Sequence, residues 1–255
     1  ITIVDTNTAA DTTYNIGSTA AVGIVNISRG VAATGDMLIT LINAGTNAVT
    51  LTNNEGAIND KEDDTTTDIS GGTVTLTAKD EIGGNVAAGA VTDTLQALDV
   101  AATSLDVSTT GALDLGTHQI VLLEADGANL TLDTAEDAIT VVSTTGSLAV
   151  NTVQAGTTTP DAVSLTAING SISSTVNSIA DVIGTTITLS VLGVGNDIGA
   201  SAISPLEINA TVLNASTAGA VGNDIFIRDT ISNLAIGTVN AGSGNVNLES
   251  LIGAI

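Results

Sequence analysis

The chain of 255 residues carries 27 acidic side chains against four basic ones, a formal net charge of −23, which excludes the basic patches that nucleic acid and anionic membrane surfaces require. Apolar residues make up 43% of the sequence but aromatics only 1%, namely Tyr14 and Phe226, so any large core must be built from aliphatic side chains rather than rings. There is no cysteine, which removes disulfides, thiolate metal sites and thiol chemistry.

The chain opens ITIVDTN, already strand-like, with no initiator methionine and no basic leader. The first 35 or so residues fit the pattern that follows poorly and are expected to form an irregular beginning. From there apolar residues alternate with Thr, Ser, Asn and Asp in short runs, at 49–52, 73–78, 98–107, 129–134, 138–143, 162–167, 185–191, 206–215, 224–229 and 245–250. Period-two alternation rich in β-branched residues predicts strands, and glycine and asparagine punctuate them as turns. The segment 59–72, NDKEDDTTTDISGG, is polar and charged and is predicted to be an acidic loop excursion.

The runs repeat. Residues 39–58 (ITLINAGTNAVTLTNNEGAI) and 236–255 (IGTVNAGSGNVNLESLIGAI) align without a gap and share Ile, Asn-Ala-Gly, Val, Leu and Gly-Ala-Ile. Further copies occupy 148–172 and, more distantly, 129–148. LDVAATSLDVST (98–109) returns as LEINATVLNAST (206–217), and QIVLLEADGANL (119–130) returns as DIFIRDTISNL (224–234). The copies keep their order, so short units of about 20–25 residues nest inside a super-repeat of roughly 105–113 residues. A short unit of strands cannot bury its apolar face alone; stacking units does so. The fold class expected is therefore all-β, a right-handed parallel β-helix (solenoid) of ~20–25-residue coils, with 1–255 as a single solenoid segment. Because the repeat runs to the last residue, the segment is expected to be an internal or processed piece of a larger protein. Tandem β-sandwiches, which also repeat near 100 residues, are the rival; they would need antiparallel pairing and more core aromatics.

The phrases IGTVNAGSGNVNLES (236–250), VSLTAINGSI (163–172) and TVTLTAKDEIGG (73–84) resemble the long exoproteins of Gram-negative bacteria: filamentous haemagglutinin-like adhesins, two-partner-secreted proteins and autotransporter passengers. The likeness covers most of the chain from about residue 38 and is one of style rather than of a diagnostic motif. It implies a right-handed β-helix with a surface or secreted role, and it carries over no catalytic residue.

Candidate chemistry is sparse. His118 is the only histidine, with Asp114 nearby, and reads as a surface turn residue. Zinc is disfavoured by one histidine and no cysteine. Glu62, Asp63, Asp64 and Asp68 supply hard oxygen donors and form a candidate calcium loop, although no EF-hand or Gly-rich nonapeptide is present. The Gly-rich segments 191–199 and 241–247 lack the Lys-Ser/Thr of a phosphate loop and read as turns. Asn26, Asn129, Asn169, Asn209 and Asn214 begin sequons that a Thr/Asn-rich chain contains by chance.

The expected function is mechanical: an extracellular or cell-surface adhesin stalk or passenger, no enzyme, with no cofactor other than calcium at the acidic loop. The partners expected are other copies of the chain, or glycans and proteins of host or neighbouring cells, without nucleic acid and without membrane insertion. The alternative is a self-assembling subunit of a fibre, sheath or surface layer. A polysaccharide-active β-helix enzyme ranks last, since Arg29 and Arg228 are isolated and aromatic platforms are nearly lacking.

Overall fold

The computed structural model describes residues 1–6, 10–17, 20–30, 34–62, 64–84, 97–111, 117–157, 160–175, 180–219, 222–231 and 233–255. The described chain is all-β. Its strands are β1 (Thr2–Asp5), β2 (Thr12–Ile16), β3 (Val25–Arg29), β4 (Met37–Asn43), β5 (Val49–Asn53), β6 (Ile58–Asp60), β7 (Ile69–Ala78), β8 (Leu98–Thr109), β9 (Ile120–Glu124) and β10 (Ala128–Thr134). They continue with β11 (Ile139–Ser143), β12 (Leu148–Gln154), β13 (Val163–Ala167), β14 (Ile172–Ser174), β15 (Val182–Val191), β16 (Leu206–Thr217), β17 (Ile225–Asp229), β18 (Ala235–Asn240) and β19 (Val246–Ser250). All pairings between these strands are parallel. They stack into a β-solenoid of about 9 turns, roughly 45 Å long at the ~4.8 Å spacing of paired strands. The parallel register excludes the β-sandwich rival. Among the described residues no helix is long and apolar enough to cross a membrane.

One rung follows another at an uneven interval. Thr2 pairs with Asn26, Ile120 with Ile139 and Ile69 with Val100, so some coils exceed the expected 20–25 residues. The extra length lies in turns, because a ladder fixes the strands and leaves the connections free to grow. Inside, equivalent side chains stack on themselves. Met37, Ile58, Ile82, Ile120, Ile139, Val163, Ile187 and Leu213 succeed one another in register, and all are buried. Each buried aliphatic of this kind contributes about 1.5–3 kcal/mol relative to exposure. The resulting inner core is one continuous cluster running from Tyr14 to Ala241, and a second, small cluster gathers Ala97, Val121, Leu123 and Val142.

Where the coil turns, buried polar side chains donate to the carbonyls of the turns. Asn53 Nδ2 donates to the Gly35 and Ala57 carbonyls at 3.1 and 2.8 Å. Asn223 Nδ2 donates to those of Gly193 and Asn196 at 2.7 and 2.8 Å. Thr109 and Thr134 hydroxyls donate to the His118 and Asp137 carbonyls.

The super-repeat is structural as well as sequential. The elements β4 to β11, of 7, 5, 3, 10, 12, 5, 7 and 5 residues, recur in order as β12 to β19, of 7, 5, 3, 10, 12, 5, 6 and 5 residues. Glycine corners recur too. Gly83 and Gly199 both have positive φ, and a Cβ on either would lie 2.1 or 2.2 Å from a backbone oxygen of the next coil, Val121 or Phe226; only glycine allows that approach. β4 stacks in the column of β7's first half, β8's first half and β9, whereas β12 stacks over β10 and β8's second half. One super-repeat therefore advances the chain about four and a half coils, and its second copy faces the opposite side of the rod.

Two expectations are modified. The described residues of the first 35 are not an irregular start: β1, β2 and β3 pair in register with β3, β4 and β5. They escaped the aliphatic pattern because polar groups stand at inward positions. Arg29, wholly buried, pairs through Nε with Asp5 at 3.3 Å and donates to the Asp36 and Ala10 carbonyls, and the Tyr14 hydroxyl donates to Asp5. The acidic excursion is also shorter than 59–72. Ile58–Asp60 and Ile69–Ala78 are ladder strands, with Ile69 paired to Ile42 and Val100, because burying Ile69 outweighs the polarity around it.

Candidate metal centre

Three buried carboxylates meet at one place: Asp60 at the end of β6, Asp68 just before β7, and Asp99 in β8. One oxygen from each lies within 4.8 Å of the others. The ladder positions them. Ile69 pairs with Val100, which sets Asp68 beside Asp99 on adjacent coils. Their backbones interlock: Asp68 N–H donates to the Asp99 carbonyl at 2.9 Å, and Asp99 N–H donates to Asp68 Oδ2 at 3.0 Å. The turn between β6 and β7 then folds around Asp60, whose Oδ1 accepts from Glu62 N–H at 2.8 Å and whose Oδ2 accepts from Asp64 N–H at 3.0 Å.

Burial raises the Asp68 carboxyl to about 8, with the charges of Asp60, Asp99 and Glu62 adding to the rise against a backbone hydrogen bond from Asp99. Burial also raises Asp99 to about 7, helped by Asp60 and Asp64. Asp99 Oδ2 is buried and accepts no hydrogen bond, and Asp99 itself is 3% exposed. Among the described residues no basic side chain forms an ion pair with Asp68 or Asp99. The donor set is all carboxylate oxygen, suited to a hard divalent cation.

The predicted loop residues divide. Asp68 belongs to the cluster. Asp64 is half-buried and accepts from Thr66 N–H through Oδ1. Glu62 is exposed and accepts from the Thr40 hydroxyl at 3.1 Å. Asp63 lies outside the described residues, as does Asp114. Sequence reasoning missed Asp60 and Asp99. The signal for Asp99 was present, because Asp99 in LDVAATSLDV aligns with Glu207 in LEINATVLNA, an acidic residue held at the same point of the super-repeat.

His118 is not a surface residue. Its side chain is 1% exposed, its backbone N–H donates to Asp137 Oδ2 at 2.8 Å, and the ring Nδ1 lies 3.8 Å from that oxygen. It packs against Gly111, where a Cβ would come within 2.4 Å of Nε2.

A further buried acid, Glu124, is raised to about 7 by burial and accepts N–H bonds from Ala102, Asp126 and Gly127. It stabilises the turn 124–127. A surface depression lined by Pro160, Ile183, Gly184, Thr185, Asn209 and Thr211 carries no titratable side chain.

Comparison with protein-family models, curated proteins and solved structures gives no significant match.

Proposed function

We propose that this solenoid is a stiff structural segment of a surface-displayed or secreted protein, an adhesin stalk or passenger of the filamentous haemagglutinin-like kind. The observation that carries this reading is the unbroken core from Tyr14 to Ala241 within one stack of parallel strands. Such a stack bends poorly, because every rung is hydrogen-bonded to the rungs above and below it. Its sides offer polar ladders and turns to a partner, and a net charge of −23 favours solubility at high local concentration.

A second reading, a self-assembling fibre or surface-layer subunit, is favoured by one observation. On β18 and β19, Ile236 and Val246 are exposed at positions that continue the inner ladders of Leu213 and Ile225, and Leu251 and Ile252 just after β19 are exposed as well. A further coil, whether from the same polypeptide or from another copy, would cover them.

Negative-stain electron microscopy of the native protein separates the two. Discrete rods support the stalk reading, and uniform filaments support the polymer. Turnover of acidic polysaccharide by the purified chain would overturn both in favour of an enzyme.

A further inference from the structure

The super-repeat contains its own control for the acidic cluster. Asp181 and Glu207 occupy in the second copy the places of Asp68 and Asp99. The same interlock recurs: Asp181 N–H donates to the Glu207 carbonyl at 2.7 Å, and Glu207 N–H donates to Asp181 Oδ2 at 2.7 Å. There the charge is compensated. Ser174, in the place of Asp60, donates its hydroxyl to Asp181 Oδ1 at 2.8 Å. Arg228, in register above Glu207, reaches Glu207 Oε1 at 3.2 Å and Glu249 at 2.8 Å.

In the first copy each compensating group is replaced by its opposite or by nothing polar. Ser174 gives way to a third carboxylate, Asp60. The residue in register above Asp99 is Leu123, not an arginine. Three carboxylates, each at most 7% exposed, thus face one another where the second copy has two carboxylates, a hydroxyl and a guanidinium. Asp99 contributes a carboxylate oxygen to this cluster, and its buried Oδ2 has no hydrogen-bond donor; Glu207 Oε2 lacks one too, but Arg228 pairs with the other oxygen of Glu207.

We propose that Asp60, Asp68 and Asp99 bind one calcium ion, which does for the first super-repeat what Arg228 and Ser174 do for the second. Oxygens up to 4.8 Å apart are compatible with a shared centre at the 2.3–2.6 Å typical of calcium. Nitrogen and sulfur donors are absent from the set, which disfavours zinc and copper. The ion would join β6, the acidic turn and β8, so that it clamps two successive coils.

Calorimetric titration of calcium chloride into the chelator-stripped chain at pH 8 tests this, with magnesium chloride titrated in parallel. The expected result is one saturable calcium site per chain, at least tenfold weaker in Asp99→Asn and unchanged in Asp181→Asn. Calcium should also raise the thermal midpoint of the wild type and of Asp181→Asn, but not of Asp99→Asn. Asp99→Asn removes a buried repelling charge and should fold without the ion; Asp60→Asn serves as a second variant should it not. The proposal is overturned by absence of a saturable site up to millimolar calcium. It is equally overturned by several weak sites that ignore both cluster variants, or by magnesium binding as tightly as calcium.

Discussion

Asp68 and Asp99 are joined by two reciprocal hydrogen bonds, one from each backbone N–H, while their carboxyl groups are packed into the same buried space as Asp60. The ladder thus forces together charges that would separate in solution. The same two bonds join Asp181 to Glu207 across the second copy, so the geometry belongs to the repeat and only its neutralisation differs.

Stability in chelator should fall as pH rises. Asp68, Asp99, Glu124 and Asp181 are raised to about 8, 7, 7 and 6, in each case chiefly by burial. An unfolded aspartate titrates near ~3.9. The folded state therefore holds these protons more tightly, and the stabilisation is fully present below about pH 4 and is lost as pH climbs through 6 to 8. The comparison belongs between pH 5.5 and 8.5, the range that spans these raised values. Thermal unfolding in chelator is expected to show a midpoint several degrees lower at pH 8.5. The double variant Asp68→Asn, Asp99→Asn should flatten that slope, and calcium should do so in the wild type.

Arg29 holds the first coils. It is wholly buried and its guanidinium serves Asp5, Asp36 and Ala10 at once. Arg29→Ala removes the cation paired with Asp5 and the guanidinium bonds to the Asp36 and Ala10 carbonyls, leaving Asp5 only the Tyr14 hydroxyl, and breaking a buried pair in this way costs about 3–5 kcal/mol. Hydrogen exchange should show loss of protection in β1 to β4 with β12 to β19 unaffected. Arg29→Lys should not rescue, because one ammonium cannot span three acceptors in a fork.

The glycine corners make a matched pair. Gly83→Ala and Gly199→Ala place a methyl against a backbone oxygen of the next coil at a positive φ, and both should destabilise by about 1–3 kcal/mol or more. Gly30→Ala, with open space around its Cβ position, should be close to neutral. Denaturant melts of the three variants check the contrast.

Within the central ladder, Ile82 bridges Ile58 and Ile120. Ile82→Ala should cost about 2–5 kcal/mol, and the loss should appear first as exchange in β6 and β9 on either side. Uniform loosening of all coils would speak against nearest-neighbour coupling in this stack.

Much of this architecture was legible from the sequence. The copies 98–109 and 206–217 became β8 and β16, and 119–130 and 224–234 contain β9 and β17, because inward aliphatic positions tolerate few substitutes and so preserve the repeat. The start of the chain was not legible, since Asp5, Tyr14 and Arg29 form their own buried polar set and mask the alternation. His118 was misplaced for a related reason: its partner Asp137 comes from the following coil, a proximity that spacing along the chain does not reveal. The acidic cluster was half legible. Its loop was conspicuous, but Leu98, Asp99 and Val100 are all buried, so both faces of β8 are covered there and alternation does not mark Asp99 as interior.

The most direct test of the proposed structural role is immunogold electron microscopy on intact, unpermeabilised source cells with an antibody raised against this chain. Display on a stalk predicts gold outside the cell, set off from the envelope at a constant distance. Labelling confined to the interior, visible only after permeabilisation, would contradict it.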